Sequence, residues 1–213
     1  MPMQNKNLIL LLLILTISVV TYGWFSKQPA FQTLMDWAHQ NYLQYMLLLI
    51  LLKTIAVIWP PIPGGLLTLG SIPIIGPASA FAADLIGGLI GSAFAYILGK
   101  KYGYSFLEKM FDADIIKKIK TFKINHKREI EAVILIRAFT LSISEAVSYG
   151  AGLIGIKLRN LIIGNIIASI IVLPYFFIWE GVLNFNFRNI IYNLLIMLPT
   201  FIIFYKFKGR YLE

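Results

Sequence analysis

The sequence predicts an all-α integral membrane protein with about four transmembrane helices and two opposed re-entrant helical hairpins in an inverted repeat. Three observations lead there. Of 213 residues, 58% are hydrophobic and only 14% charged, with a mean hydropathy of +0.76, a balance in which water is not the main solvent. Apolar stretches recur at residues 8–20, 45–58, 78–98, 132–156, 161–179 and 190–205, several of them about as long as the ~20 residues a bilayer core requires. Lys and Arg sit beside these stretches rather than on a soluble module, so the net charge of +9 reads as membrane orientation and not as nucleic-acid binding.

Taken in order, residues 1–44 are expected to form an N-terminal anchor and an external segment. Lys6 followed by the apolar run 8–20 resembles a secretory signal, yet the run continues through Thr21, Tyr22, Gly23, Trp24 and Phe25 without the small residues of a cleavage site. A retained anchor is the expectation. Residues 45–99 then read as a first hairpin plus a span, 100–131 as a basic loop, 132–182 as a second hairpin plus a span, and 183–213 as a last span and basic tail. All belong to a single membrane domain, 1–213.

Charge fixes the expected topology. The loop carries Lys100, Lys101, Lys109, Lys117, Lys118, Lys120, Lys123, Lys127 and Arg128, which places it in the cytoplasm by the positive-inside rule. Lys206, Lys208 and Arg210 ask for the same side, whereas residues 26–44 hold only Lys27 and residues 184–189 only Arg188, so those two segments face outward. Every loop is satisfied when residues 45–75 enter and leave from the outer side and 132–156 from the cytoplasmic side.

Composition supports the first hairpin at Trp59-Pro60-Pro61-Ile62-Pro63-Gly64-Gly65, where missing amide donors and unrestricted glycine dihedrals prevent a continuous helix. The second breaks around residues 140–152. Unwound backbone at membrane depth is tolerated only where protein or a water-filled cavity covers it, so both breaks should line a cavity. The halves share one plan, hairpin then span, with Gly70 and Gly150 closing the hairpins. Hairpins entering from opposite faces form an inverted repeat, in which transporters hold substrate near the midplane.

Pro61-Ile62-Pro63-Gly64-Gly65, then Leu67-Thr68-Leu69-Gly70, Gly87-Gly88 with Gly91, and Tyr96 with Gly99, Lys100 and Gly103 resemble the first half of the DedA/VTT superfamily. Arg137, then Tyr149-Gly150-Ala151-Gly152-Leu153, Lys157 with Arg159-Asn160, and Gly164-Asn165 resemble its second signature, close to the SNARE-associated Golgi-protein branch. The resemblance covers roughly residues 47–174. It implies two opposed re-entrant helices and the flipping or scrambling of lipids, either phospholipid or polyprenyl phosphate, in a bacterial inner membrane. Bacterial members typically carry an acid in the first hairpin, another directly after the Pro-Gly and two arginines six apart in the second. Here those positions read Lys53, Gly65, Arg137 and Ile143. Three of the four depart, so the resemblance carries neither acid-dependent proton coupling nor undecaprenyl phosphate over to this chain.

The candidate substrate-binding residues are Arg137, Glu145, Lys53, Gly64 and Gly65. Arg137 follows the apolar run 132–136, where a guanidinium is costly unless paired or wet; it either forks onto a phosphate or pairs with Glu145. Lys53, set within residues 49–55, either acts inside the membrane or snorkels to the outer interface, with snorkelling ahead. Glu145 lies where the second hairpin should turn, as a partner for Arg137 or Lys53 or as a solvated tip. Asp84 is expected near the outer interface, with a pair to Lys53 as the alternative. Gly64 and Gly65 serve the turn and could offer amides to an anionic head group. Gly87, Gly88, Gly91 and Asn165 are assigned to helix packing, and Trp24, Trp37, Trp59 and Trp179 to interfacial anchoring.

An enzyme is not expected. Zero cysteines remove thiolate chemistry, the serines lack a histidine partner at membrane depth, and His39 and His126 fall on opposite sides of the bilayer, too far apart to share a metal. No cofactor is expected. The expected partners are membrane lipids with anionic head groups, with a homo-oligomer left open. The alternative function is a non-transporting assembly or homeostasis factor that docks lipid or a partner through residues 100–128.

Overall fold

Proline and glycine cut the apolar sequence into helices. The computed structural model describes residues 23–24, 26–59, 62, 64–108, 116, 128–139 and 144–207, and among these it is all-helical, with eight helices. Helix α1, Pro29–Gln40, has proline in its first turn, where no amide donor is missed. It ends at Asn41, whose backbone N–H and side-chain amide both donate to Trp37 O. Helix α2, Tyr42–Ile58, leaves at a bend of 109°. After the short α3, Gly64–Gly70, comes α4, Ile72–Leu107, interrupted at Gly76 (φ 77°) and Gly103 (φ 69°). Both angles lie in the left-handed region that glycine enters freely. Pro77 starts the continuous stretch between them, residues 77–102, about 39 Å long at ~1.5 Å per residue. Then follow α5, Glu129–Phe139; α6, Ser144–Leu153; α7, Leu158–Leu183; and α8, Phe187–Phe207.

Two helices, Ile72–Ser105 and Leu158–Leu183, are long and apolar enough to cross a membrane, and the bent pair α1 and α2 makes a third if taken as one span. The expected anchor at 8–20, Pro60, Pro61 and Pro63, Ile143, His126, most of the basic loop, and Lys208 and Arg210 lie outside the described residues. Helix α8 covers the expected segment 190–205. Two expectations need correction. The second break is narrower than 140–152, because residues 144–153 are helical and the described helices stop at Phe139 and resume at Ser144. The segment expected to lie outside also contains α1, which lays Phe31 and Ala38 into a buried cluster with Tyr45, Leu49, Ile74 and Ala83. Its apolar spacing of three, four and seven residues was already a helical signal.

Helix register defines the topology. A Cβ on Gly87 would meet Ile50 O and Lys53 Cβ, and one on Gly91 would meet Thr54 O and Val57 Cβ, at 2.6–3.0 Å. Numbers rise together, so α2 and α4 run parallel, and the chain between them must turn back through α3. The same holds for α5 and α7. Glu129 Oε2 accepts from Lys157 N (3.1 Å) and Asn160 Nδ2 (2.7 Å), and Gly164 lies against Ile130 O and Val133. Each half is thus a reversed hairpin followed by a helix parallel to the hairpin's first arm. Between halves the sense inverts. Ala80 clusters with Phe176 and Tyr96 with Leu161, so α4 and α7 run antiparallel.

The halves interlock where α6 crosses α4. Gly99 lies against the backbone of Tyr149, and Gly152 against Tyr96 O and Lys100 N, leaving no room for a Cβ at either position. Such backbone contact is what small residues permit in apolar helix pairs. Tyr149, fully buried, donates its phenol to Ile58 O (2.6 Å) at the end of α2, and Tyr96 donates to Ile156 O (2.8 Å). The second hairpin's return arm is therefore bonded to the tip of the first. Gly152→Ala is expected to destabilise the protein by about 1–3 kcal/mol, the usual range for overpacking, read as a lowered Tm in detergent. Gly65→Ala, where a Cβ meets nothing within 4 Å, should leave the Tm unchanged or slightly raised.

Candidate functional site

Between the interlocked halves lies a half-open cavity of about 120 Å³ lined by Lys53 of α2, Asp84 and Gly88 of α4, Arg137 of α5, and Ala168, Ser169, Val172 and Phe176 of α7, among others. That is far above the roughly 10–15 Å³ that one water needs. Its walls mix polar and apolar surface, and Phe81 and Phe176 meet edge to face at 5.5 Å between ring centroids. Three charged side chains converge on this lining, two cationic and one anionic.

The first half supplies an ion pair. Lys53 Nζ stands 2.7 Å from Asp84 Oδ1, and Thr68 Oγ1 donates to the same oxygen at 2.8 Å. Lys53 is 8% exposed and Thr68 fully buried. The lysine therefore does not snorkel; its stem lies against Gly87 and Gly88, and Gly64 approaches its Cδ at 3.4 Å from an ideal Cβ position. Asp84, expected nearer the interface, is the lysine's partner. An ion pair surrounded by apolar helices is held by its hydrogen bonds as much as by charge, because each ion's lost hydration must be offset.

The second half supplies Arg137. Val133 packs beside Gly164, and one turn on from each, Arg137 and Ala168 both line the cavity. Parallel pairing of α5 with α7 thus carries the guanidinium to the level at which parallel pairing of α2 with α4 delivers Lys53. The two cations come from corresponding arms of the two hairpins.

Of the five candidate residues, the structure brings Lys53, Arg137 and Gly64 to this region. Gly65 has open space around it. Gly64 N–H donates to Ile62 O at 2.8 Å, so that amide is engaged within the turn and not offered to a ligand. Glu145 is the second residue of α6, and its side chain lies outside the described residues. Thr68, Ser169 and the α7 wall were not singled out from sequence. Asp84 carried the available signal, a carboxylate within an apolar span. Among the described residues, no group of three or more His, Cys, Asp or Glu could hold a metal ion. Trp24, Trp37 and Trp59 are exposed, while Trp179 packs against the cluster of Ile72, Ala80 and Phe176.

The ion pair is open to a double-mutant cycle. Asp84→Leu should destabilise the protein by about 3–5 kcal/mol by stranding a buried ammonium, whereas Lys53→Met combined with Asp84→Leu should recover most of that loss. Chemical or thermal unfolding in detergent is the measurement, and additive losses would show that the pair is not coupled.

Comparison with curated proteins and with solved structures gave no match. The VTT domain matches residues 62–180, a stretch that includes α3 to α6, nearly all of α7, and both Asp84 and Arg137. With apolar helices long enough to cross a bilayer, the chain is an integral membrane protein, and it belongs to the VTT-domain family, that of the DedA and SNARE-associated Golgi proteins.

Proposed function

We propose that the protein moves phosphate-bearing lipids between leaflets, by flipping or scrambling, with the head group passing through the cavity between its two hairpins. The observation that carries this reading is that Lys53 and Arg137, one from each half, line one cavity between apolar helices. Charged side chains inside an apolar bundle are costly and mark substrate pathways by default. The described charges lining the cavity are two cations and one carboxylate, a net single positive charge that suits the single negative charge of a phosphodiester.

In this reading the hairpins are re-entrant from opposite faces, and α4 and α7 cross the bilayer with the N-terminal anchor and α8. The antiparallel relation of α4 to α7 and the reversal within each half support it. Arg137 presents a planar fork of donors to two phosphate oxygens. Lys53, neutralised by Asp84 at rest, is drawn to the phosphate as the head group enters. Desolvating a bare phosphate would otherwise block its passage, while the acyl chains stay in lipid. No covalent chemistry and no cofactor are required, and the reading places the protein in a bacterial plasma membrane.

Translocation of fluorescent phosphatidylglycerol in proteoliposomes tests it. Arg137→Ala, matched for folding and insertion, should slow translocation about 10- to 100-fold, the worth of hydrogen bonds to a charged group. Arg137→Lys should recover only part, since a point charge lacks the bidentate geometry. Wild-type rates in Arg137→Ala would overturn the phosphate site. Loss of cellular function on neutralising the basic loop, with translocation intact, would favour an assembly factor instead.

A further inference from the structure

One end of the cavity is bounded by an aromatic pair drawn from both halves. Phe81 of α4 and Phe176 of α7 both line it, with their ring planes at 80°. Phe81 stands one helical turn from Asp84 and Leu85, and Phe176 one turn from Val172. Because α4 and α7 run antiparallel, both steps lead toward the same end of the molecule. There Leu69, Ile72, Ile75, Ala80 and Trp179 join the pair in one apolar cluster. A charged group moving between this end and the Lys53–Asp84 level must pass an apolar constriction, which sheds water and holds back charge.

The two rings are mounted differently. Phe81 sits on the continuous stretch 77–102 of α4, which is clamped by close contact at Gly87 and Gly91 with α2 and at Gly99 with α6. Phe176 lies two residues past Pro174, inside α7. Proline offers no amide to Ile170 O, so α7 lacks one rung of its hydrogen-bond ladder just before the ring. Past this point α7 is fastened to α8. Asn189 Nδ2 donates to Phe177 O at 3.2 Å, and a Cβ on Gly181 would meet Ile190 Cγ1 at 2.9 Å. Helix α8 in turn exposes Leu194, Leu195 and Leu198. A bend at Pro174 carries residues 175–183 and α8 away from α4 together, parting Phe176 from Phe81 while the contacts that hold Lys53 against Asp84 stay intact.

We infer that Phe81 and Phe176 are the fixed post and the moving leaf of a gate that closes the cavity at this end, hinged at Pro174. Shut, it keeps water from reaching the Lys53–Asp84 pair from that side; open, it admits a charged head group. What passes rests on the lipid-transport reading, whereas the gate rests on the aromatic pair and the hinge.

The first test uses Ser169→Cys, which puts the chain's only thiol on the cavity lining. The protein is reconstituted in vesicles, and a charged, impermeant thiosulfonate reagent is supplied to one face of the membrane at a time. Adding Phe176→Ala should raise the rate of modification from one face about 3- to 10-fold, the worth of one aromatic contact, and leave the rate from the other face unchanged. Adding Pro174→Ala, which restores the missing amide, should lower that same rate. The second test holds the gate shut. Phe81→Cys and Phe176→Cys, introduced together, are bridged by a short bifunctional thiosulfonate, and translocation of fluorescent phosphatidylglycerol is followed before bridging, after it and after reduction. Bridging should stop translocation and reduction should restore it, a comparison within one protein that holds even where Phe176→Ala fails to fold.

An unchanged rate of modification in folded Phe176→Ala, an equal rise from both faces, or undiminished translocation in the bridged protein would each overturn the gate, and an unchanged rate in Pro174→Ala would overturn the hinge. A protein that moves no lipid, yet whose Ser169→Cys thiol responds as expected to Phe176→Ala and Pro174→Ala, keeps the gate and removes transport. Translocation that depends on Arg137 but ignores the bridge removes the gate and keeps transport.

Discussion

The closeness with which α4 accepts backbone on two sides fixes the positions of the other helices. Gly87 and Gly91 admit α2, and Gly99, with Gly152 opposite, admits α6 until main chain meets main chain. Thr54 adds a hydroxyl hydrogen bond to Gly87 O at 3.2 Å across the first of these contacts. In an apolar environment helices gain little from mutual hydrophobicity, so dispersion at short range and interhelical hydrogen bonds decide which pair and in what register. Residue-level register is what determines the side chains that reach the cavity. A shift of one helical turn in α2 would separate Lys53 from Asp84.

Register also explains how two unlike sequences produce matching halves. Each half runs out along a hairpin arm, back along a short helix and out again beside the first arm. The inversion between α4 and α7 turns one half's outward direction into the other's inward direction. The consequence is chemical: an ammonium and a guanidinium that start from opposite ends of the molecule arrive at one level. The first half resolves its charge with Asp84 and Thr68. The second brings Arg137 to the same lining.

Much of the fold was legible in the sequence because its signals are local. Prolines and glycines at 59–65 marked the first hairpin, and apolar runs marked α4 and α7. Arg137 stood out as a charge after five apolar residues. What escaped depends on partners distant in sequence. Asp84 reads as interfacial until α2 is placed beside α4, and Lys53 reads as a snorkelling residue until Gly64, Gly87 and Gly88 are seen to enclose it. Helix α1 escapes for a different reason: a basic-poor segment between apolar runs reads as a loop, although its apolar spacing is helical.

The central claim is that one cavity, built jointly by both halves, receives a phosphate head group. Photolabelling in native membranes with a phosphatidylglycerol carrying a photoreactive group on its head tests this most directly, with adducts located by peptide sequencing. The account predicts adducts in α4 near Asp84 to Leu89 and in α7 near Ala168 to Val172, diminished by excess unlabelled phosphatidylglycerol. Adducts confined to the outward-facing residues of α8 or to the basic loop, with α4 and α7 unlabelled, would contradict it.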